Sequence, residues 1–210
     1  MNQHTTAIID YDVGNLKNVA TALSAIDVDT VITRDPKVIA DCAAVVLPGV
    51  GAFADAMDNL GKFDLLAPLD RHVKAGKLLY GICLGMQLLF DESVEDGLTR
   101  GLGLIPGRVE ALVPHEGFKG PHMGWNNLII NRDDPMTKGL TDRADYVYFV
   151  HSYYAVPADF NAHVLAYADY DVPVPGIVRK DNVIGTQFHP EKSAAVGQRI
   201  LENLKEVCGL

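Results

Sequence analysis

The sequence predicts an α/β protein: a three-layer, open, mostly parallel sheet with helices on both faces and an antiparallel β addition. Three observations carry that expectation. Short β-branched apolar runs alternate with helix-period stretches through residues 5–90, the pattern of strands and crossover helices in a parallel sheet. Two of the runs, 43–47 and 77–82, lack the polar alternation of a half-exposed strand, as strands covered on both faces do. Beyond about residue 100 the texture changes to β-rich segments punctuated by Gly and Pro, which suits antiparallel strands and turns.

Each element has its own signal. Residues 5–11 read as the first strand, and the turn Asp12-Val13-Gly14-Asn15 leads into a helix whose Leu16, Val19, Ala20, Leu23 and Ile26 share one face. A second strand falls at residues 30–33. The third, 43–47, stops in Pro48-Gly49-Val50-Gly51, a loop that calls for unusual dihedrals. Leu65, Leu66, Leu69 and Val73 mark a helix ending near Gly76. The strand 77–82 runs almost directly into a helix at 84–90, leaving Gly81-Ile82-Cys83-Leu84-Gly85 as the junction. Further β-like runs lie at 104–113, 128–130, 146–156, 164–170, 176–179 and 183–188, and an amphipathic helix covers 193–207. With no repeat, low-complexity tract or linker, residues 1–210 read as one domain.

Composition narrows the function class. Of 210 residues, 48% are apolar, too many for a disordered chain. Eighteen Lys and Arg against 27 Asp and Glu give a net charge of −9 without a basic block, which argues against nucleic acid or an anionic membrane as partner. The longest apolar stretch, 78–90, has 13 residues, short of the ~20 a spanning helix needs. The first residues lack the basic head and apolar run of a secretory signal, so a cytoplasmic location is expected. Three cysteines, an odd number, point to free thiols rather than a disulfide framework.

One of the three stands out. Gly81-x-Cys83-x-Gly85 between a strand and a helix has the layout of a nucleophile elbow with sulfur in place of the serine oxygen. The sharp turn lifts Cys83 out of the sheet top, and the backbone N–H groups at the helix start both lower a thiol pKa and, through Leu84, offer half of an oxyanion hole. A buried structural Cys explains the motif alone equally well, so a base decides. His189, in Phe188-His189-Pro190-Glu191, ends a β-like run and carries a carboxylate two residues on. In an extended segment those two side chains project to one side, and Pro190 disfavours helix at His189. The roles follow: nucleophile Cys83, base His189, orienting carboxylate Glu191. His151 lacks such a carboxylate and reads as a pocket wall; Cys42 and Cys208 read as structural. His115, Glu116 and His122 match no compact metal spacing, and neither a metal nor a cofactor is expected.

With Gly81-Ile82-Cys83-Leu84-Gly85-Met86-Gln87 and Phe188-His189-Pro190-Glu191 about a hundred residues apart, the chain resembles the triad (class I) glutamine amidotransferases. The segments from Asp10 to Leu16, Leu47-Pro48-Gly49-Val50-Gly51-Ala52-Phe53, His122-Met123-Gly124-Trp125-Asn126 and Tyr148-Phe149-Val150-His151-Ser152-Tyr153 narrow the resemblance to glutaminase subunits of imidazole glycerol phosphate synthases. That resemblance implies hydrolysis of L-glutamine through a Cys83 thioester. The loop with Val50 and Gly51 would supply the second oxyanion donor, and Gln87, Glu95, Ser152 and Tyr153 would hold substrate. It also implies a partner, a separate (β/α)₈ cyclase subunit that uses the ammonia to convert PRFAR to imidazole glycerol phosphate and AICAR, met by Asn15, Trp125, Tyr148 and Lys192. Other readings stay open at this point: a glutaminase serving another synthetase, a cysteine peptidase or deglycase on the same scaffold, or an interaction module that keeps the elbow for packing.

Overall fold

The computed structural model describes residues 5–113 and 120–210. Strand β1 (Thr6–Ile9) is wholly buried, with Ala7 and Ile9 on one side of the sheet and Ile8 on the other, the period-two alternation of an extended chain. Asn15 caps α1 (Leu16–Ser24) by accepting from the Asn18 N–H, and the helix buries Val19 and Leu23. β2 (Thr30–Thr33) pairs parallel to β1 at the sheet edge. The helix α2 (Pro36–Asp41), which the sequence reading omits, has a local signal. Asp35 accepts from the Lys37 N–H, and Pro36 occupies the first turn, where its missing N–H costs nothing.

β3 (Ala44–Gly49) is followed by a second omitted helix, α3 (Phe53–Lys62), which buries Phe53, Ala56 and Leu60 at helical spacing. Then come α4 (Leu66–Lys74) and β4 (Leu78–Cys83), whose register against β3 sets Gly49 opposite Cys83. The helix expected over 84–90 stops after one turn as α5 (Leu84–Gln87), and Phe90 already begins β5 (Phe90–Ser93). The reason is a competing set of donors: Leu102 N–H bonds the Leu88 carbonyl, Leu104 N–H that of Leu89, and Gly103 N–H that of Phe90. A short apolar run cannot announce which partner its carbonyls will take.

β6 (Thr99–Arg100) and β7 (Ile105–Ala111) follow, then β8 (His122–Asn127), a polar segment that the sequence reading does not score as strand. β9 (Ile129–Ile130) lies at the far edge of the main sheet. The run 146–156, expected as one strand, is two: β10 (Tyr146–His151), which pairs with β8, and β11 (Tyr153–Pro157), which pairs with β7. The break at Ser152 lets one sequence serve two sheets. The short α6 (Phe160–His163), β12 (Val164–Tyr170), β13 (Val172–Lys180), β14 (Val183–Thr186) and α7 (Ala194–Cys208) follow, with 3₁₀ turns at Pro135–Thr137 and Pro190–Lys192.

The main sheet has eight strands in the order β2-β1-β3-β4-β14-β13-β12-β9. Its first five run parallel and the remaining pairings are antiparallel, so the expected three-layer α/β architecture holds. α1 and α7 cover one face, where Leu23, Ile200 and Leu204 pack with Ile8, Val46, Tyr80 and Ile184. α2, α3, α4 and the four-stranded sheet β11-β7-β5-β6 cover the other, where Ile39, Leu60, Leu69 and Val109 meet Ile9, Val45, Leu47 and Leu79. Each such side chain contributes about 1.5–3 kcal/mol by leaving water, and a one-residue slip would exchange the two faces of a strand, so burial on both sides fixes the register. That register puts β14 directly beside β4, and residues 187–189 emerge next to Cys83. Among the described residues no helix is long and apolar enough to cross a membrane.

Candidate active site

Cys83 closes β4 with φ 56° and ψ −112°, a strained conformation for a residue with a Cβ, costing of order 1–3 kcal/mol. The elbow glycines are required by space. A Cβ on Gly85 would stand 1.7 Å from the Leu47 carbonyl oxygen, and one on Gly81 would stand 2.5 Å from that of Gly85. Without side chains at those two positions the one-turn α5 folds back over β3 and β4, and the strain at Cys83 is held from both sides.

Cys83 opens into a cavity of about 480 Å³, within the size range of a small-molecule site. The cavity gathers eleven residues expected from the sequence: Cys83, Leu84 and Gln87 from the elbow, Val50 and Gly51 from the loop after β3, Glu95 after β5, His151, Ser152 and Tyr153 around the β10–β11 break, and His189 with Lys192. The root of the loop after β3 is anchored by a fully buried tyrosine, whose Tyr11 hydroxyl donates to the Pro48 carbonyl at 2.6 Å. Burial and the nearby Cys83 push that phenol's pKa up, so it stays a donor.

His189 Nδ1 bonds Glu191 Oε1 at 2.7 Å, with the two side chains only 5% and 3% exposed. Glu191 reaches the imidazole through a 3₁₀ turn over Pro190–Lys192 rather than along an extended strand; the partners are as expected and the route is not. His189 Nε2 has no hydrogen-bond partner among the described residues, the condition of a nitrogen free to exchange a proton. Burial by itself would depress this imidazole, but the Cys83 sulfur and the Glu191 carboxylate outweigh it and raise its pKa to about 9. The ring therefore favours its charged form beside the sulfur at neutral pH.

His151 is confirmed as a wall and turns out to belong to a relay. Its Nδ1 donates to the Tyr153 carbonyl at 2.9 Å, and its Nε2 accepts from His122 Nδ1 at 3.0 Å. His122 Nε2 in turn accepts from the Asn126 amide at 3.2 Å, and its ring lies between Phe149 and Tyr170, at centroid distances of 4.4 and 4.0 Å. A backbone carbonyl only accepts, so the chain of donors fixes one neutral tautomer for each ring. Burial holds His122 down to about 4 and, with the neighbouring His122, His151 to about 3. His115 and Glu116 lie outside the described residues. Glu95 is tied to the fold, its Oε2 accepting from the Phe53 N–H at the start of α3.

Trp125 is 53% exposed, and its ring stands 6.1 Å from that of Tyr148 on the β8–β10 ribbon, with Lys192 Nζ 5.9 Å over the Tyr148 ring. Met123 and Tyr146 are exposed on the same ribbon. Exposed Asn15 sits on α1, which packs against the turn that carries Lys192. The sequence reading missed Tyr11, the His122 relay and the buried Gln187.

An elbow cysteine, a histidine and a carboxylate thus meet at the top of a parallel sheet, and the family model for class I glutamine amidotransferases matches residues 7–206. The chain belongs to the class I glutamine amidotransferases. Among similar amidotransferase chains, the imidazole glycerol phosphate synthase subunit HisH of Listeria innocua serovar 6a is 48% identical, over 95% of this chain and 94% of that one. The protein of the same name from Syntrophotalea carbinolica is 48% identical over 95% and 98%. A crystal structure described as a glutamine amidotransferase superposes with a TM-score of 0.76 at 20% identity, covering 97% of this chain and 99% of that one, a likeness of fold.

Proposed function

We propose that this amidotransferase is the glutaminase subunit of an imidazole glycerol phosphate synthase, working in the cytoplasm as a single domain over residues 1–210. The observation that carries the reading is Cys83 and His189 facing one cavity, with Glu191 bonded behind the imidazole, in a chain that matches such subunits over nearly their whole length. The Cys83 thiolate attacks the side-chain amide carbon of L-glutamine, and the oxygen takes the electron pair. The Leu84 N–H and an N–H of the Val50-Gly51 loop hold that oxyanion. As the tetrahedral intermediate collapses, the C–N bond breaks, His189 Nε2–H protonates the departing nitrogen, and ammonia leaves a thioester. Water then gives a proton to His189 and its oxygen to the acyl carbon, and sulfur departs as glutamate forms.

Gln87, Glu95, Ser152 and Tyr153 hold the substrate in this reading. The Gln87 Nε2 is committed to the Tyr153 carbonyl and to Gln187, which leaves its Oε1 to accept from substrate. Glu95 matches the α-ammonium by charge. The exposed Trp125, with Tyr148, Lys192 and Asn15, forms the face that meets the cyclase subunit, which receives the ammonia and turns PRFAR into imidazole glycerol phosphate and AICAR. The test is reconstitution: mixed with a cyclase subunit and PRFAR, the chain should make imidazole glycerol phosphate at the expense of glutamine. Glutamine hydrolysis without product would point to another synthetase, and turnover of peptides instead of glutamine would overturn the reading.

A further inference from the structure

We infer that Gln187 is a positioning residue for the nucleophile: its side-chain amide donates to the Cys83 sulfur and stabilises the thiolate. The inference rests on Cys83 being the nucleophile. Gln187 is fully buried, at the point where β14 leaves the sheet beside β4. An amide there is costly to bury unless both its ends are paired. One end is Oε1, which accepts from Gln87 Nε2 at 3.0 Å; the other is Nε2, 3.8 Å from Cys83 Sγ.

The direction of the amide follows from its neighbours. Gln87 Nε2 also bonds the Tyr153 carbonyl at 2.8 Å. Since that carbonyl only accepts, the Gln87 group there is the NH₂ end, and Gln187 must present oxygen to it. The Gln187 NH₂ is then left facing sulfur. Reversed, the amide would set two NH₂ groups against each other and aim an oxygen lone pair at a thiolate. The sulfur also meets the Val150 carbonyl at 3.9 Å, which takes a thiol proton but repels a thiolate, and on the cavity side it faces the His189 imidazole. Gln187 is not among the residues that line the cavity, so it acts on the nucleophile and not on the substrate.

The readout is alkylation of Cys83 by iodoacetamide as a function of pH, without glutamine, with the adduct located by peptide mass and Cys83→Ala as blank. Two variants delete the donor: Gln187→Met, of similar length, and Gln187→Glu, which keeps the acceptor for Gln87. A lost N–H bond to a charged sulfur shifts the midpoint upward by about one unit in Gln187→Met, so the thiolate fraction below both midpoints falls about tenfold. Gln187→Glu shifts it further, since it adds a carboxylate beside sulfur. Thermal midpoints identify the folded variants, and either one suffices. If every folded variant titrates with the parent, the inference falls, even if glutamine KM rises through a loosened Gln87. Alkylation needs no glutamine, so failure of the glutaminase reading would appear separately, as a parent chain that alkylates normally and makes no glutamate.

Discussion

Replacing Glu191 by Gln keeps the shape of the His189 contact and removes its charge, so the effect on the imidazole can be worked from the structure. The parent pair is joined at 2.7 Å with both side chains almost fully out of water, and the ring is carried from its ordinary 6.5 to about 9 against a burial effect of opposite sign. A hydrogen bond to a charged group contributes about 1.5–3 kcal/mol, which at 1.36 kcal/mol per unit is about one to two pKa units. Glu191→Gln should therefore bring His189 down by about that much. In the proposed mechanism the protonated ring is the acid that releases ammonia, so the alkaline limb of kcat/KM for glutamine, measured in the complex with the cyclase subunit, should move to lower pH by about one to two units. Stability carries the same sign. A raised folded-state pKa stabilises fully below about 6.5 and loses its effect as pH rises through about 9, so the variant's pH dependence of thermal midpoint should flatten across that window. An unmoved alkaline limb in a folded variant would refute the assignment of Glu191 as a group that, with the Cys83 sulfur, charges His189.

Other expectations concern the elbow, the partner face and the relay. Gly85→Ala places a Cβ against the backbone oxygen of Leu47, a collision no rotamer relieves, and should cost more than about 3 kcal/mol in urea unfolding; parent-like stability would contradict the close approach of α5 to β3. Trp125→Ala should weaken binding of the cyclase subunit by about 2 kcal/mol, or about thirtyfold, in titration calorimetry with the thermal midpoint of the free chain unchanged. An unchanged Kd would remove Trp125 from the interface. His122 and His151, held at about 4 and about 3, should both remain neutral at pH 6, each as one tautomer, in nitrogen NMR. Titration of either ring near 6.5 would break the relay.

The fold was legible where burial on both faces writes a continuous apolar run, as in β3 and β4, and where caps sit beside periodic helices, as at Asn15 before α1. It was not legible where a partner decides. The carbonyls of Leu88, Leu89 and Phe90 went to residues 102–104, and the polar β8 became a strand by pairing with β10. The triad residues could be read because the elbow and the His-x-Glu spacing are local. The His122–His151 step of the relay and the amide of Gln187 on Cys83 join residues 29 and 104 positions apart; nothing local encodes such contacts.

The most direct measurement uses Cys83→Ala in complex with the cyclase subunit and PRFAR. Product formation driven by glutamine should vanish, while product formation driven by added ammonium should continue at the parent rate, because sulfur is needed to make ammonia and not to use it. Glutamine-driven product at a rate near the parent's would remove Cys83 from the centre of the chemistry.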